Sequence, residues 1–191
     1  MKVVSLFSGA GGLDLGFIKA GHEIVWANDL YSDAVETYRD NIGTHIICED
    51  IFRVDPDSIP DCDIVIGGFP CQGFSVANTK RNVADERNKL YKQLLRIIAA
   101  KSPKFFLAEN VKGIMSLGKG QVLKMILKDF ADAGYTVQAK VLNAADYGVP
   151  QLRQRVFIIG VRNDIDYDFS YPEPTHNAGG TNGLKKWVSV G

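Results

Sequence analysis

The sequence predicts an α/β fold organised around a parallel sheet, and three observations carry that expectation. Short, β-branched apolar runs recur seven times, amphipathic or turn-forming segments separate the first five, and the first run ends in a cluster of glycines. The chain has 191 residues, 46% hydrophobic and 23% charged, which fits one domain able to bury a core without disulfides or a structural metal.

The expected strands are Val3–Phe7, Glu23–Ala27, His45–Cys48, Asp63–Gly68, Lys104–Glu109, Thr136–Leu142 and Val156–Val161. Between the first five lie Leu13–Ala20, Ser32–Asn41, a short Pro-bounded piece at Asp55–Ile59, and Leu90–Ala100. The stretch Gly118–Ala133 carries Val122, Leu123, Ile126, Leu127 and Phe130 on one helical face and leads into the last two strands. From Asp164 the composition turns to Gly, Pro, Asn and aromatics with no clear core element, so residues 1–163 form the expected unit and 164–191 a connecting segment.

No apolar run approaches the roughly 20 residues of a membrane span, and Val3–Phe7 is too short and glycine-flanked for a signal peptide. A cytoplasmic location is therefore expected. Lys plus Arg (22) equals Asp plus Glu (22), so no global basic field points to a polyanion. Cys48, Cys62 and Cys71 fit neither a disulfide framework nor a CxxC zinc clip; no metal site is expected, and any functional cysteine is a lone thiol.

The first strand runs into Phe7-Ser8-Gly9-Ala10-Gly11-Gly12-Leu13-Asp14-Leu15-Gly16. Glycines at a strand-to-helix turn let a ligand approach the backbone above a helix N-terminus, although a tight turn alone explains them as well. Asp29, at the end of the second strand, is placed to accept both hydroxyls of a ribose. Asp50, after the third, is placed to accept an adenine amino group. The fourth strand ends in Gly67-Gly68-Phe69-Pro70-Cys71-Gln72-Gly73, where a proline before the cysteine fixes φ and presents the thiol at the sheet edge as a nucleophile. Cys48 and Cys62 read as structural. Glu109 and Asn110 end the fifth strand, so Glu109 approaches whatever Cys71 attacks if the two strands are neighbours; a carboxyl in a dry cleft is a proton donor. Arg153 and Arg155, on one face of the last strand, suit a base carbonyl or a phosphate, though a basic edge strand also guards against aggregation.

Taken together, FSGAGGLDLGF, GGFPCQGFS, ENVKG and QLRQR resemble, in order and interval, motifs of the cytosine-C5 DNA methyltransferase family from Val3 to about Gly160. The resemblance implies a Rossmann-like S-adenosylmethionine-dependent methyltransferase fold, with a mostly parallel seven-stranded sheet and helices on both faces. It implies S-adenosylmethionine as cofactor, S-adenosylhomocysteine as product and double-stranded DNA as partner, in a bacterial restriction–modification setting. Cys71 is implied as the nucleophile, Glu109 as the donor to the cytosine ring, Asn110 as the holder of the Pro70–Cys71 loop, and Arg155, with Arg153 nearby, as the group addressing the base carbonyl. Phe7, Ala10, Gly11, Gly12 and Leu13 are implied on the methionine and adenosine side, Asp29 at the ribose, Asp50 with Ile51 at the adenine, and Leu90 near the cofactor. The family most often has Glu where Asp29 stands.

The segment Val76–Leu90 is expected to be a mobile loop over the flipped base. From Lys80 to Lys104, eight basic residues face two acidic ones, a local charge of +6 that reads as a phosphate-facing stripe or a solvated helix face. Family members continue into a target-recognition domain and later motifs, so the chain is expected to be a fragment or one subunit of a split enzyme. Alone it is expected to be weakly active or inactive. The alternatives are a tRNA cytosine methyltransferase of the DNA-enzyme type, a non-enzymatic binding module, and an NAD-dependent oxidoreductase, which gives Pro70–Cys71 and Glu109–Asn110 no role.

Overall fold

Val3 and Val4 are adjacent in the first strand and belong to two separate cores, one on each face of the sheet. The computed structural model describes residues 1–70 and 89–190, with the backbone alone at Lys89. Strands β1 (Lys2–Leu6), β2 (Glu23–Asp29), β3 (Ile46–Cys48), β4 (Ile64–Gly67), β5 (Phe105–Val111), β6 (Tyr135–Asn143) and β7 (Gln154–Arg162) form one seven-stranded sheet in the order β3-β2-β1-β4-β5-β7-β6. The first five strands pair in parallel, and β7 lies antiparallel between β5 and β6.

Helices α1 (Gly12–Lys19) and α2 (Ser32–Asn41) cover one face, where Val35 and Tyr38 meet Val3, Ala27 and Ile66. Helices α3 (Lys89–Lys101) and α4 (Gln121–Asp132) cover the other, where Leu94, Ile97, Ile126 and Phe130 meet Leu6 and Phe106. Phe106 lies 4.5 Å from Phe130 and 5.2 Å from Tyr135 between ring centroids. Aromatic pairs of this kind add about 0.5–1.5 kcal/mol each beyond the area they bury.

All seven expected strands form, with different ends. Phe7 lies past β1 at φ +54°. β6 and β7 outrun their apolar cores because hairpin pairing extends through polar residues as far as Asn143 opposite Gln154. The helix expected from Gly118 begins at Gln121, since Gly118, Lys119 and Gly120 all have left-handed backbone.

The tail beyond Asp164 is a strap along the β6–β7 hairpin. Tyr167 packs edge-on against Phe105, the Tyr171 hydroxyl reaches the carbonyl of Phe157 at 2.8 Å, and Gln138 Nε2 donates to the carbonyl of Phe169. Farther on, the short strands β8 (His176–Asn177) and β9 (Lys185–Lys186) pair in parallel. Trp187 Nε1 donates to Asp146 Oδ1 at 2.9 Å, and the Thr175 amide donates to the Asp146 carbonyl. These contacts are aromatic packing, isolated hydrogen bonds and a two-residue strand pairing, which a search for periodic core elements does not register.

Candidate active site

Strand order reverses between β1 and β4, and ligands of open α/β sheets bind at the carboxyl ends of strands beside such a point. Phe7 follows β1 and Gly68 follows β4; both line each of two adjoining cavities. The larger, about 620 Å³, is bounded by Gly12, Leu13, Tyr147 and the charged side chains Glu109, Arg153 and Arg155. The smaller, about 190 Å³, is bounded by Asp29, Asp50, Ile51, Pro70 and Leu90. Together they give room for a ligand of cofactor size, since small-molecule sites span roughly 300–1,000 Å³.

The glycine turn hangs from the end of β2. The Ser8 amide donates to the Asn28 carbonyl at 3.0 Å, and the Gly9 amide donates to Asp29 Oδ2 at 2.8 Å. Asp29 Oδ1 accepts the Tyr31 amide at 3.0 Å. Oδ2 of this buried carboxylate thus fastens the glycine loop and Oδ1 closes its own turn, and among the described residues each oxygen keeps one acceptor position for a ligand hydroxyl. Phe7 carries the left-handed backbone of the turn between the cavities, a conformation that costs a non-glycine residue on the order of 1–3 kcal/mol.

Two of the expected contact residues line neither cavity. Ala10 is exposed, whereas Gly11 is buried at φ +85° with its Cα turned toward α2. A Cβ there would run into Ile42 and the Tyr38 ring, so this glycine is required by packing beneath the loop. Asp50 caps its own turn: Oδ1 accepts the Phe52 amide at 3.0 Å, while Oδ2 has no partner among the described residues. Asn28 Nδ2 donates to the Glu49 carbonyl at 2.7 Å and holds the neighbouring loop against β2.

On the other flank, β4 and β5 are neighbours, with Gly67 opposite Ala108, as an approach of Glu109 to residue 71 requires. Glu109 faces Phe157 and Arg155 faces Val111 across the β5–β7 pair, which makes Glu109 and Arg155 diagonal neighbours on one face. Arg155 Nε lies 2.9 Å from Glu109 Oε1, and Arg155 Nη1 donates to the Gln154 carbonyl. Glu109 Oε2 turns toward Gly68, where a Cβ would stand only 3.2 Å from it. Asn110 is buried and donates from Nδ2 to the Phe69 carbonyl at 2.9 Å, tying the segment before Pro70 to β5. Arg153 precedes β7 instead of lying within it, yet it lines the same cavity as Arg155. Cys71 and most of Val76–Leu90 lie outside the described residues.

The basic side chains of the stripe among the described residues have partners within the chain. Lys92 pairs with Asp129 on α4 at 2.6 Å, Lys104 with Asp63 at 2.9 Å, and the largely buried Lys101 lies 3.7 Å from Asp61. Arg96 turns inward, where Nη2 donates to the carbonyls of Ile51 and Val54. Periodicity placed Lys92 and Arg96 on a helix without showing which acids and carbonyls that helix meets. Lys80, Arg81 and Arg87 lie outside the described residues.

Sequence reasoning also passed over Asp14. It is fully buried, borders the larger cavity, and accepts from Ser5 Oγ at 2.7 Å and the Tyr38 hydroxyl at 2.8 Å. The Tyr38 oxygen in turn lies 3.0 Å from His45 Nε2. Burial raises the Asp14 carboxyl above its ordinary value, against the opposing pull of the Ser5 and Tyr38 hydrogen bonds. A polar residue on the inward face of a first helical turn was the available signal. Gly68 and Tyr147 gave none apart from their neighbours.

Among the described residues, no cluster of histidine, cysteine and carboxylate side chains could hold a metal ion, and no helix is long and apolar enough to cross a membrane.

Comparison with known proteins places this geometry in a family. The model of the C-5 cytosine-specific DNA methylase family matches residues 1–185. The chain is similar to the type II methyltransferase M.NgoFVII of Neisseria gonorrhoeae, 53% identical over all of this chain and 51% of the relative. It is also similar to the type II methyltransferase M.BspRI of Lysinibacillus sphaericus, 46% identical over 99% of this chain and 50% of the relative. Among solved structures, the methyltransferase EhMeth of Entamoeba histolytica superposes with a TM-score of 0.74 at 20% identity, covering 91% of this chain and 56% of that one, a likeness of fold. The chain spans about half the length of these curated relatives. With the motifs, the sheet and the family match in agreement, this chain belongs to the C-5 cytosine-specific DNA methylase family.

Proposed function

We propose that residues 1–163 are the catalytic and cofactor-binding part of a DNA cytosine-5 methyltransferase of restriction–modification type, acting on double-stranded DNA with S-adenosylmethionine as methyl donor. Residues 164–191 lead toward the part of the enzyme that reads the target sequence. One observation carries this reading: an acid-lined cavity and a cavity walled by the Glu109–Arg155 pair meet at Phe7 and Gly68, beside Pro70. Type II names among the relatives support the restriction–modification setting.

The smaller cavity suits an adenosine. Ile51, Leu90 and Phe7 offer apolar walls for a flat base, Asp50 Oδ2 an acceptor for its amino group, and Asp29 the remaining acceptor positions for ribose hydroxyls. The bound cofactor supplies an electrophilic methyl group on a sulfonium. Carbon 5 of cytosine is too weak a nucleophile to take it unaided, so the Cys71 thiolate adds to carbon 6 and makes the ring enamine-like. Electron density displaced onto N3 is met by a proton from Glu109, whose Oε2 lies on the Gly68 side while Arg155 holds Oε1. Arg153 and Arg155 line the larger cavity and are the groups available to the base carbonyl. After methylation carbon 5 loses its proton to a base such as water, the double bond to carbon 6 re-forms, Cys71 leaves as a thiolate, and N3 returns its proton to Glu109. A base inside a duplex reaches such a pocket only by flipping out of the stack.

The test is covalent trapping on a duplex bearing 5-fluorocytosine at the target, with the rest of the enzyme present. Fluorine does not leave carbon 5 as a proton does, so the adduct persists. Cys71→Ala is expected to abolish trapping and retain S-adenosylhomocysteine binding. Trapping by Cys71→Ala at the wild-type level overturns the assignment.

A further inference from the structure

We infer that Arg96, on the buried side of α3, is a positioning residue for base recognition in the smaller cavity, an inference that rests on the adenosine reading above. Arg96 Nη2 donates to the Ile51 carbonyl at 2.9 Å and to the Val54 carbonyl at 3.0 Å. These carbonyls bracket the turn after Asp50, closed by the Arg53 amide on the Asp50 carbonyl at 2.8 Å and by Phe52 on the Asp50 side chain. One guanidinium nitrogen therefore ties both ends of the turn to α3, and Leu90 of that helix lines the same cavity. Ile51 and Val54 are both buried in the core that α3 shares, so turn and helix are packed together.

The turn sets where Asp50 Oδ2 points, and with it the preference for a base that donates an amino hydrogen over one that offers a carbonyl at the same position. A lysine ammonium also has hydrogens for both carbonyls, but its shorter stem ends short of where Nη2 stands and its donors are not fixed in one plane, so it holds the paired carbonyls less well. A methionine fills the space of the stem and holds neither.

The experiment is calorimetric titration of this chain, with the rest of the enzyme present, with S-adenosylhomocysteine and with S-inosylhomocysteine, which carries a carbonyl in place of the amino group. The wild-type chain is expected to prefer the adenine compound. Arg96→Met should reduce that preference about tenfold, the worth of one well-placed hydrogen bond, and Arg96→Lys should fall between. Thermal melts accompany both variants; where Arg96→Met fails to fold, Arg96→Lys decides. A preference that stays at the wild-type value in a folded variant, even with both affinities lowered, overturns the positioning role and leaves the cofactor reading standing. Failure of the wild-type chain to bind either compound overturns the cofactor reading and this inference with it.

Discussion

The two flanks of the switch point hold their functional side chains by different means. On the parallel flank, Asp29 and Asp50 sit at strand ends and are locked by amides close in sequence, Tyr31 and Phe52, with Gly9 and Asn28 joining adjacent loops. On the antiparallel flank, Glu109 and Arg155 meet only because β7 inserts between β5 and β6 in one register, and a shift by a single residue would turn the two side chains to opposite faces. On the proposed reading the first flank binds the cofactor, with loops that keep their shape locally. The second is built to place two charges across a strand pair, and its geometry depends on distant chain.

That contrast is sharpest in Glu109→Gln. Methyl transfer by the complete enzyme should fall about 10²–10³-fold, the loss typical of one donor to a developing negative charge, while S-adenosylhomocysteine affinity stays at the wild-type value. Single-turnover methyl transfer beside calorimetry checks both halves, and a matching loss of affinity would break the division between flanks. Asp29→Ala should do the converse. It removes acceptors for ligand hydroxyls and also the Gly9 fastening, so affinity for S-adenosylhomocysteine should drop roughly 30-fold, about 2 kcal/mol, in the same calorimetric assay.

The smallest expected effect concerns Asp14, which borders the larger cavity. Its carboxyl is raised in the folded chain, so the protonated form is the one folding favours. The corresponding stability is fully present below the ordinary value of 3.8 and is lost as pH rises through the higher folded value. Asp14→Asn cannot ionise, and its melting temperature should decline less than that of the wild-type chain as pH is raised from about 4. Parallel melting curves across that range would contradict the assignment of the buried charge.

The same contrast explains what was readable beforehand. Asp29, Asp50, Glu109 and the seven strands were legible because strand ends and apolar runs are local features of the chain. The inward turn of Arg96 depends on carbonyls more than forty residues away, and Lys92 finds Asp129 only when α3 and α4 pack together. The Tyr38–Asp14 bond joins two helices across the glycine loop in the same way. Gly11 looked like a ligand contact because a glycine-rich turn contains glycines kept for room as well as glycines kept for a ligand, and only the neighbours tell them apart.

The parallel pairing of β8 with β9 acts as a clasp. It joins the two ends of the stretch 178–184, and Trp187 then anchors the closed loop to Asp146, the residue before Tyr147 of the larger cavity. A loop whose ends are already joined adds little closing entropy when lengthened, only about 0.6 kcal/mol for each doubling. The clasp therefore makes this stretch an insertion point, where extra sequence can accumulate, or a reporter be spliced in, at little cost to the position of Tyr147 and Arg153.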